Sequence, residues 1–474
     1  MPEREFEDHA IEAKIRLESL ESYAAAGIIF RMADDESYYM ALVSSKGYFR
    51  LDAVNNNTPK TLIAWTDIPE FDGVNINMKI IAYGCNMVFL VNDKWLGEIS
   101  DDSHEYGGLG FALASYETSE DDSPADEEMD NYICKTHLDS ITIDTRIKII
   151  EQEFNKWTDD SNINAEGRLR FAETLAAMDE PAKALEQITK AWKRRDEVIR
   201  TVSATAAIRT KKELLFASRL SFRLGQFKEA EEYIDSILDQ WANTAEGKMA
   251  HAEKIRILNE LNRYKELKQF VKKHSLNISK DINFYAIMGK CYWELKDYKN
   301  SANAWGNAFE LIREDKDSSD KNAYGVYAVN AAKAYELAEN ISTALARYID
   351  AGKFFLNNDN IPELAAVMPK LALLGENNWE ARSLAGKWAY SIEDYNRCSK
   401  EFEIADKLRC AIRPRPKADP ALYYLWGLVH HIKGKRKSAI TLLKRAVKLA
   451  PDYELFRLKL EEFTAADEEA NKCK

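Results

Sequence analysis

The sequence predicts two domains of different class. Residues 1–145 read as an antiparallel β-sandwich, residues 146–464 as an all-α solenoid of paired helices, and residues 465–474 as a polar tail. Three observations carry this reading. Between Glu5 and Asp144, apolar and polar residues alternate in short runs separated by turn residues. From Arg146 the apolar spacing becomes helical and stays so. Within the helical part, small residues recur in pairs at one fixed offset, as they do when a single helix pair is repeated.

The strand runs come in order at Ala10–Leu17, Ala25–Met32, Tyr38–Val43, Tyr48–Ala53, Lys60–Trp65, Val74–Tyr83, Met87–Val91, Lys94–Ile99, Gly108–Tyr116 and Ile141–Asp144. Asn92-Asp93 joins two of them as a tight hairpin, because both residue types tolerate the positive φ such a turn needs. Many strands at near-regular spacing indicate an antiparallel sandwich. Three stretches go further: AGIIFRMADDESYYMALVSSKGYFRLDAV, NMKIIAYGCNMVFLVNDKWLGEI and GGLGFALAS. Together they resemble the concanavalin A-like (laminin G-like) jelly-roll domains, over nearly all of residues 5–144. That resemblance implies a jelly-roll sandwich. Such domains usually carry further strands before the G-hhFR strand, whereas here the first strand begins almost at Met1. The sandwich is therefore read as small or N-terminally incomplete.

The helical part opens with a joining helix within residues 146–164. Its last complete repeat, Ala421–Asp452, places Gly427, Ala439, Leu443, Ala446 and Pro451 at the spacings of a tetratricopeptide (TPR) helix pair. Aligned on position 20 of that repeat, seven of an expected seven to eight pairs are recognised, anchored at Ala184, Ala230, Leu267, Ser301, Ala344, Cys398 and Ala439. Position 8 is then Ala172, Ser218, Ile255, Gly289, Ala332, Gly386 and Gly427, nearly all small, as close helix packing demands. The pair around Ile255 fits worst. The long gap between Ala344 and Cys398 leaves room for an extra helix at Ile361–Leu374. A helix pair cannot bury its apolar face alone, so it stacks on neighbours and builds a surface that holds another molecule.

The resemblance to TPR proteins implies a groove lined by positions 2, 5, 9, 12 and 13 of the first helix of each pair. Position 9 reads Glu173, Arg219, Arg256, Lys290, Lys333, Lys387, Leu428: five consecutive cations. Position 12 adds aromatics at Phe222, Trp293 and Tyr390. Cations beside aromatic surface suit a protein or peptide partner of acidic character. The Lys-and-Asn combination of chaperone-binding TPR clamps is absent at positions 5 and 9 of one pair. A second basic run, Lys433–Arg445, has no interleaved aromatics and is read as a solvated end, so no nucleic-acid partner is expected. On the sandwich, Trp65, Trp95 and Tyr106 could stack on a sugar ring, which makes glycan recognition the competing reading.

Charge is uneven. The net charge of −12 divides into −19 for residues 1–145 and +7 for residues 146–474, and residues 117–130 alone carry −8. The two regions are thus expected to meet different partners or each other. The seven histidines form no HExxH, and neither a GxSxG nor a P-loop is present. The acidic stretch 117–130 and Asp101-Asp102 lack the spaced D-x-D-x-D-G ligands of a calcium loop. No catalytic residue, metal or cofactor is therefore assigned. The six cysteines are scattered without a CxxC, as expected for free thiols in a reducing compartment. No apolar run of about 18 residues occurs, so no membrane span is expected. The charged start carries no secretory h-region, which reads as cytoplasmic unless an upstream export signal is missing. The function most supported is a non-enzymatic scaffold or adaptor holding an acidic segment in the helical groove.

Overall fold

A computed structural model describes residues 5–17, 24–115, 136–159, 163–202, 209–314 and 321–472. Among them are ten strands followed by seventeen helices. The chain forms two compact units, Met1–Ala250 and His251–Lys474.

In the first unit all ten expected strands are present: β1 (His9–Leu17), β2 (Ala24–Asp34), β3 (Ser37–Ser44), β4 (Tyr48–Asn55), β5 (Thr58–Asp67), β6 (Asn75–Tyr83), β7 (Asn86–Val91), β8 (Lys94–Ser100), β9 (Gly108–Ser115) and β10 (Thr136–Asp144). They make two antiparallel five-stranded sheets, ordered β10-β1-β6-β7-β8 and β5-β4-β3-β2-β9. Alternation delivers Ile28, Phe30, Ala41, Val43, Phe49 and Leu51 of one sheet into the core opposite Ile11, Ala13, Ile80 and Phe89 of the other. Phe89 meets Phe49 at 5.5 Å and Phe30 at 6.4 Å between ring centroids, so aromatic contacts bridge the sheets.

The GIIFR stretch has a physical explanation at both ends. A Cβ on Gly27 would lie 1.8 Å from the carbonyl oxygen of Ala41, so only glycine lets β2 lie against β3 there. Arg31 has φ +48° at an irregularity of the β2–β3 ladder and is buried. Its guanidinium donates to the carbonyls of Glu7 (2.9 Å), Gly84 (2.7 Å) and His104 (3.3 Å), tying three connections together. The Asn92-Asp93 hairpin has positive φ at both residues, 51° and 60°, as expected.

The first helices dock on this sandwich. These are α1 (Ile147–Thr158) and α2 (Ala165–Ala177). Lys79 of β6 pairs with Glu153 of α1 at 2.6 Å. Phe171 of α2 sits over Gly97 of β8, where a Cβ would come within 2.7 Å of its ring. Arg168 of α2, almost fully buried, donates to Gln187 (2.6 Å) and reaches Glu98 of β8 at 3.4 Å. The unit continues with α3 (Pro181–Val202), α4 (Lys211–Arg223) and α5 (Phe227–Trp241), and α6 (Ala245–Glu260) begins within it.

The second unit holds the rest of α6, then α7 (Tyr264–Lys273), α8 (Ile282–Glu294), α9 (Tyr298–Glu314), α10 (Lys321–Leu337), α11 (Ile341–Asn357), α12 (Ile361–Leu374), α13 (Trp379–Ser391), α14 (Tyr395–Ala411), α15 (Pro420–Ile432), α16 (Arg436–Leu449) and α17 (Glu454–Lys472). The extra helix expected between Ala344 and Cys398 is α12. Residues 465–472, expected as a polar tail, are helical and belong to α17.

The repeat register is written in the turns. Asp179, Gly225, Asn262, Lys296, Glu339, Glu393 and Gly434 all have positive φ, and each lies five residues before an anchor. In every case the next N–H reaches back five residues to a helix carbonyl, for example Asp297 to Tyr292 at 2.8 Å and Lys435 to His430 at 2.8 Å. These are Schellman caps, which satisfy the last carbonyls of each first helix and reverse the chain. The pair around Ile255 obeys the rule too, with Asn262 five residues before Leu267, although both its contact residues are large. The small residues touch as the spacing requires. Ser301 donates to the Gly289 carbonyl at 2.8 Å and Ser218 to the Ala230 carbonyl at 3.0 Å.

Candidate functional site

Position 9 faces outward, as the register demands, but its cations are not equivalent. In the first unit Arg219 is exposed, with its guanidinium 3.9 Å from Met249 Sδ. In the second unit Arg256 is exposed and paired with Glu253 at 2.8 Å. Lys387 is half-buried and paired with Asp419 at 2.7 Å. Lys290 and Lys333 are exposed and, among the described residues, form no ion pair. Lys290 Nζ stands 6.0 Å from the Tyr264 ring, within cation–π range.

Those two lysines share one cavity of about 270 Å³, which is lined also by Trp293, Trp305 and Asn330. Trp293 continues α8 beyond Lys290, Asn330 precedes Lys333 on α10, and Trp305 of α9 completes the wall. Gly289 makes this possible: a Cβ there would fall 2.6 Å from the Trp305 ring. Asn330 is half-buried, and its side-chain amide makes no hydrogen bond among the described residues. The arrangement offers two ammonium groups, one amide and two indoles to a single ligand. A neighbouring cavity of about 290 Å³ includes Lys353, Trp379 and Lys387, but its cations are neutralised by Glu380 and Asp419.

The position-12 aromatics have a second role that spacing did not reveal. Phe222, Trp293 and Tyr390 each meet an aromatic five residues later, at the start of the second helix: Phe227 (5.3 Å), Tyr298 (5.5 Å) and Tyr395 (6.1 Å), all edge-on. They clamp the turn within their own pair. Trp293 in addition lines the cavity that holds Lys290 and Lys333. Trp305 and Asn330 were not anticipated. Trp305 occupies position 24, four residues after the anchor Ser301, where the large apolar residue of the repeat is normally core.

The sugar-platform candidates do not hold together. Trp95 is buried beneath α2, edge-on to Phe171 at 5.5 Å and with Arg168 over its ring at 5.3 Å, so it presents no face to a ligand. That expectation is overturned by the docking of α2. Trp65 is half-buried, packs with Ala25, Leu42 and Ala112, and carries the Arg50 guanidinium 5.7 Å above its ring. Tyr106 is exposed in the β8–β9 connection. A cavity of about 610 Å³ lies between β5, β7, β8 and the helices α1–α3. Several of its charged groups are already paired, Lys183 with Glu180, and Glu186 and Glu98 with Lys190.

The remaining candidates are quickly placed. Residues 117–130 lie outside the described residues. Asp101 accepts from the Tyr39 hydroxyl at 2.6 Å and from the Ser103 N–H at 3.0 Å, hydrogen bonds that hold its carboxyl below the usual range against the opposing effect of burial. Among the described residues no three His, Cys, Asp or Glu side chains gather as a metal would need, and no helix is long and apolar enough to cross a membrane.

The chain is 26% identical over 451 residues to a TPR repeat-containing protein of Treponema pallidum (strain Nichols), across 92% of its own length. The helix pairs are similar to tetratricopeptide repeats. The chain spans about half the length of that curated relative. No family model matches. Among solved structures, a tetratricopeptide repeat protein from Parabacteroides merdae overlaps 64% of this chain and 98% of its own, at 13% identity and a TM-score of 0.31. The carbohydrate binding module CBM66 from Bacillus subtilis overlaps 24% of this chain and 70% of its own, at 18% identity and a TM-score of 0.22. At such scores neither structure bears on the fold or the ligand. The likeness to TPR proteins rests on the seven matching turns and on the relative.

Proposed function

We propose that this protein is a non-enzymatic interaction scaffold that holds an acidic peptide segment of a partner protein on the first-helix face of its second unit, centred on Lys290 and Lys333. TPR arrays generally mediate protein–protein contact. The observation that carries the finer reading is the contrast along position 9. Arg256 and Lys387 have carboxylate partners of their own, whereas Lys290 and Lys333, among the described residues, stand unpaired over a cavity of about 270 Å³. Two like charges that line one cavity repel each other, and an anionic ligand relieves that repulsion.

The test uses the full chain and a fluorescein-labelled peptide of mixed apolar and Glu residues, read by anisotropy. Exposed ion pairs contribute roughly 0.2–1 kcal/mol each. The double reversal Lys290→Glu/Lys333→Glu is therefore expected to weaken binding by about tenfold or more, since attraction is replaced by repulsion. Raising salt from about 0.05 to 0.5 M should weaken the parent and spare the variant. Equal binding by both proteins at all salt concentrations would refute the assignment.

A further inference from the structure

We infer that the Lys290–Lys333 site reads two adjacent ligand residues at once, an acidic side chain held by the lysines and a large aromatic or aliphatic side chain seated between Trp293 and Trp305. The inference rests on the acidic-peptide reading above and narrows it from a charged run to a composite motif.

Three observations support it. The first is the extent of free positive charge. The flanking position-9 residues of the same unit, Arg256 and Lys387, are neutralised by Glu253 and Asp419. Among the described residues of this unit, unpaired cations at this position are thus confined to one step, enough for one carboxylate and too short for a long acidic run.

The second is the size and lining of the cavity. Its volume of about 270 Å³ exceeds what a carboxylate needs. At roughly 30 Å³ per water it would hold several waters against indole walls, where few hydrogen-bond partners exist. Displacing poorly held water by an apolar group favours binding. Asn330 supplies one polar contact at the edge, suited to the ligand backbone.

The third is the treatment of position 24. In five of the six other pairs this residue is core, Ile188, Ile234, Tyr348, Phe402 and Leu443 being buried, and in the poorly fitting pair at Ile255 the smaller Val271 is half-buried. Trp305 occupies the same position but is half-buried and forms a cavity wall. Gly289 leaves room for its ring against α8. A residue that elsewhere fills the core here presents aromatic surface to a ligand, and the flat indole pair suits a ring or branched side chain.

The experiment compares three fluorescein-labelled peptides of equal length in a Gly-Ser background, carrying Glu-Trp, Glu-Ala or Lys-Trp at the centre. Each is titrated by anisotropy into the full chain, into Trp305→Leu and into Lys290→Glu/Lys333→Glu. Circular dichroism checks that each variant is folded, and Trp293→Leu replaces Trp305→Leu if the latter is not. The Glu-Trp peptide is expected to bind about tenfold tighter than either other peptide. Trp305→Leu should remove the advantage of Glu-Trp over Glu-Ala, weakening Glu-Trp binding by about tenfold more than Glu-Ala binding. The lysine reversals should remove the advantage of Glu-Trp over Lys-Trp. Equal binding of Glu-Trp and Glu-Ala to the parent would overturn the composite motif and leave the acidic-peptide reading standing. Tighter binding of Lys-Trp than of Glu-Trp, or no binding of any peptide at high micromolar concentration, would overturn both.

Discussion

The seven turns make a quantitative prediction. Five of the seven residues with positive φ between paired helices are not glycine. Of these, Lys296, Glu339 and Glu393 have φ of 58°, 60° and 60°, are exposed, and make no side-chain hydrogen bond or ion pair among the described residues. Replacing each by glycine therefore changes the backbone term almost alone. A side chain in the left-handed region costs about 1–2 kcal/mol. Glycine returns roughly 0.5–1 kcal/mol of that through the greater freedom of its unfolded chain. The net gain is about 0.5–1 kcal/mol per site. The three turns belong to different pairs, so the effects should add to about 2 kcal/mol. Hydrogen-exchange mass spectrometry of the full chain resolves the second unit from the first. The triple variant should slow exchange in peptides from α8, α10 and α13 by about 30-fold, at 1.4 kcal/mol per decade. Peptides from the sandwich should be unaffected. The reverse change, Gly434→Ala, at φ +72°, should accelerate exchange in α15 and α16. Unchanged or faster exchange in the triple variant would refute the argument that these turns are strained at the non-glycine positions.

Further predictions concern the first unit, the buried thiols and the cavity wall. Gly97→Leu inserts a side chain where Phe171 seats, 2.7 Å from a Cβ, and should destabilise the docking of α2 by about 1–3 kcal/mol, read as faster amide exchange in α2 and β8 with α8–α11 unchanged. His9 is buried in the sandwich, and burial followed by the Arg31 charge lowers its pKa to about 4. The unfolded chain then binds more protons than the folded one between about pH 6.5 and 4, so stability falls as pH falls through that window. The loss should approach about 3 kcal/mol near pH 4, and His9→Leu should flatten the pH dependence of the urea midpoint. Burial raises the thiol pKa of Cys291 to about 11 and of Cys398 to about 12, whereas Cys85 is exposed. Alkylation at pH 7.5 followed by peptide mass mapping should modify Cys85 first and leave Cys291 and Cys398 until the chain unfolds. Gly289→Ala should displace Trp305 and reduce binding of the Glu-Trp peptide without altering the overall helix content measured by circular dichroism.

Much of this architecture was legible along the chain because it depends on local periodicity. Ten strands followed from alternation at period two, and the hairpin at Asn92-Asp93 from residues that accept positive φ. The helix-pair register followed from small residues at two fixed positions, since two helices approach closely only where side chains are short. Even the poorly fitting pair at Ile255 kept its register, because the Asn262 cap, rather than side-chain size, sets where the chain reverses. The outward face of position 9 was a consequence of the same register.

What the sequence could not supply is who neutralises whom. Among the described residues Arg256 and Lys387 have counter-ions and Lys290 and Lys333 do not, a distinction that depends on side chains such as Asp419, 32 positions from Lys387 in the chain. Trp95 looked available for stacking until α2 covered it, and that burial comes from Phe171, which belongs to the helical part. Trp305 carried a core-position label yet became a cavity wall. Periodicity tells which way a side chain leaves its own element. Burial, charge pairing and cavities depend on what another element brings to the same place, and only the folded arrangement decides that.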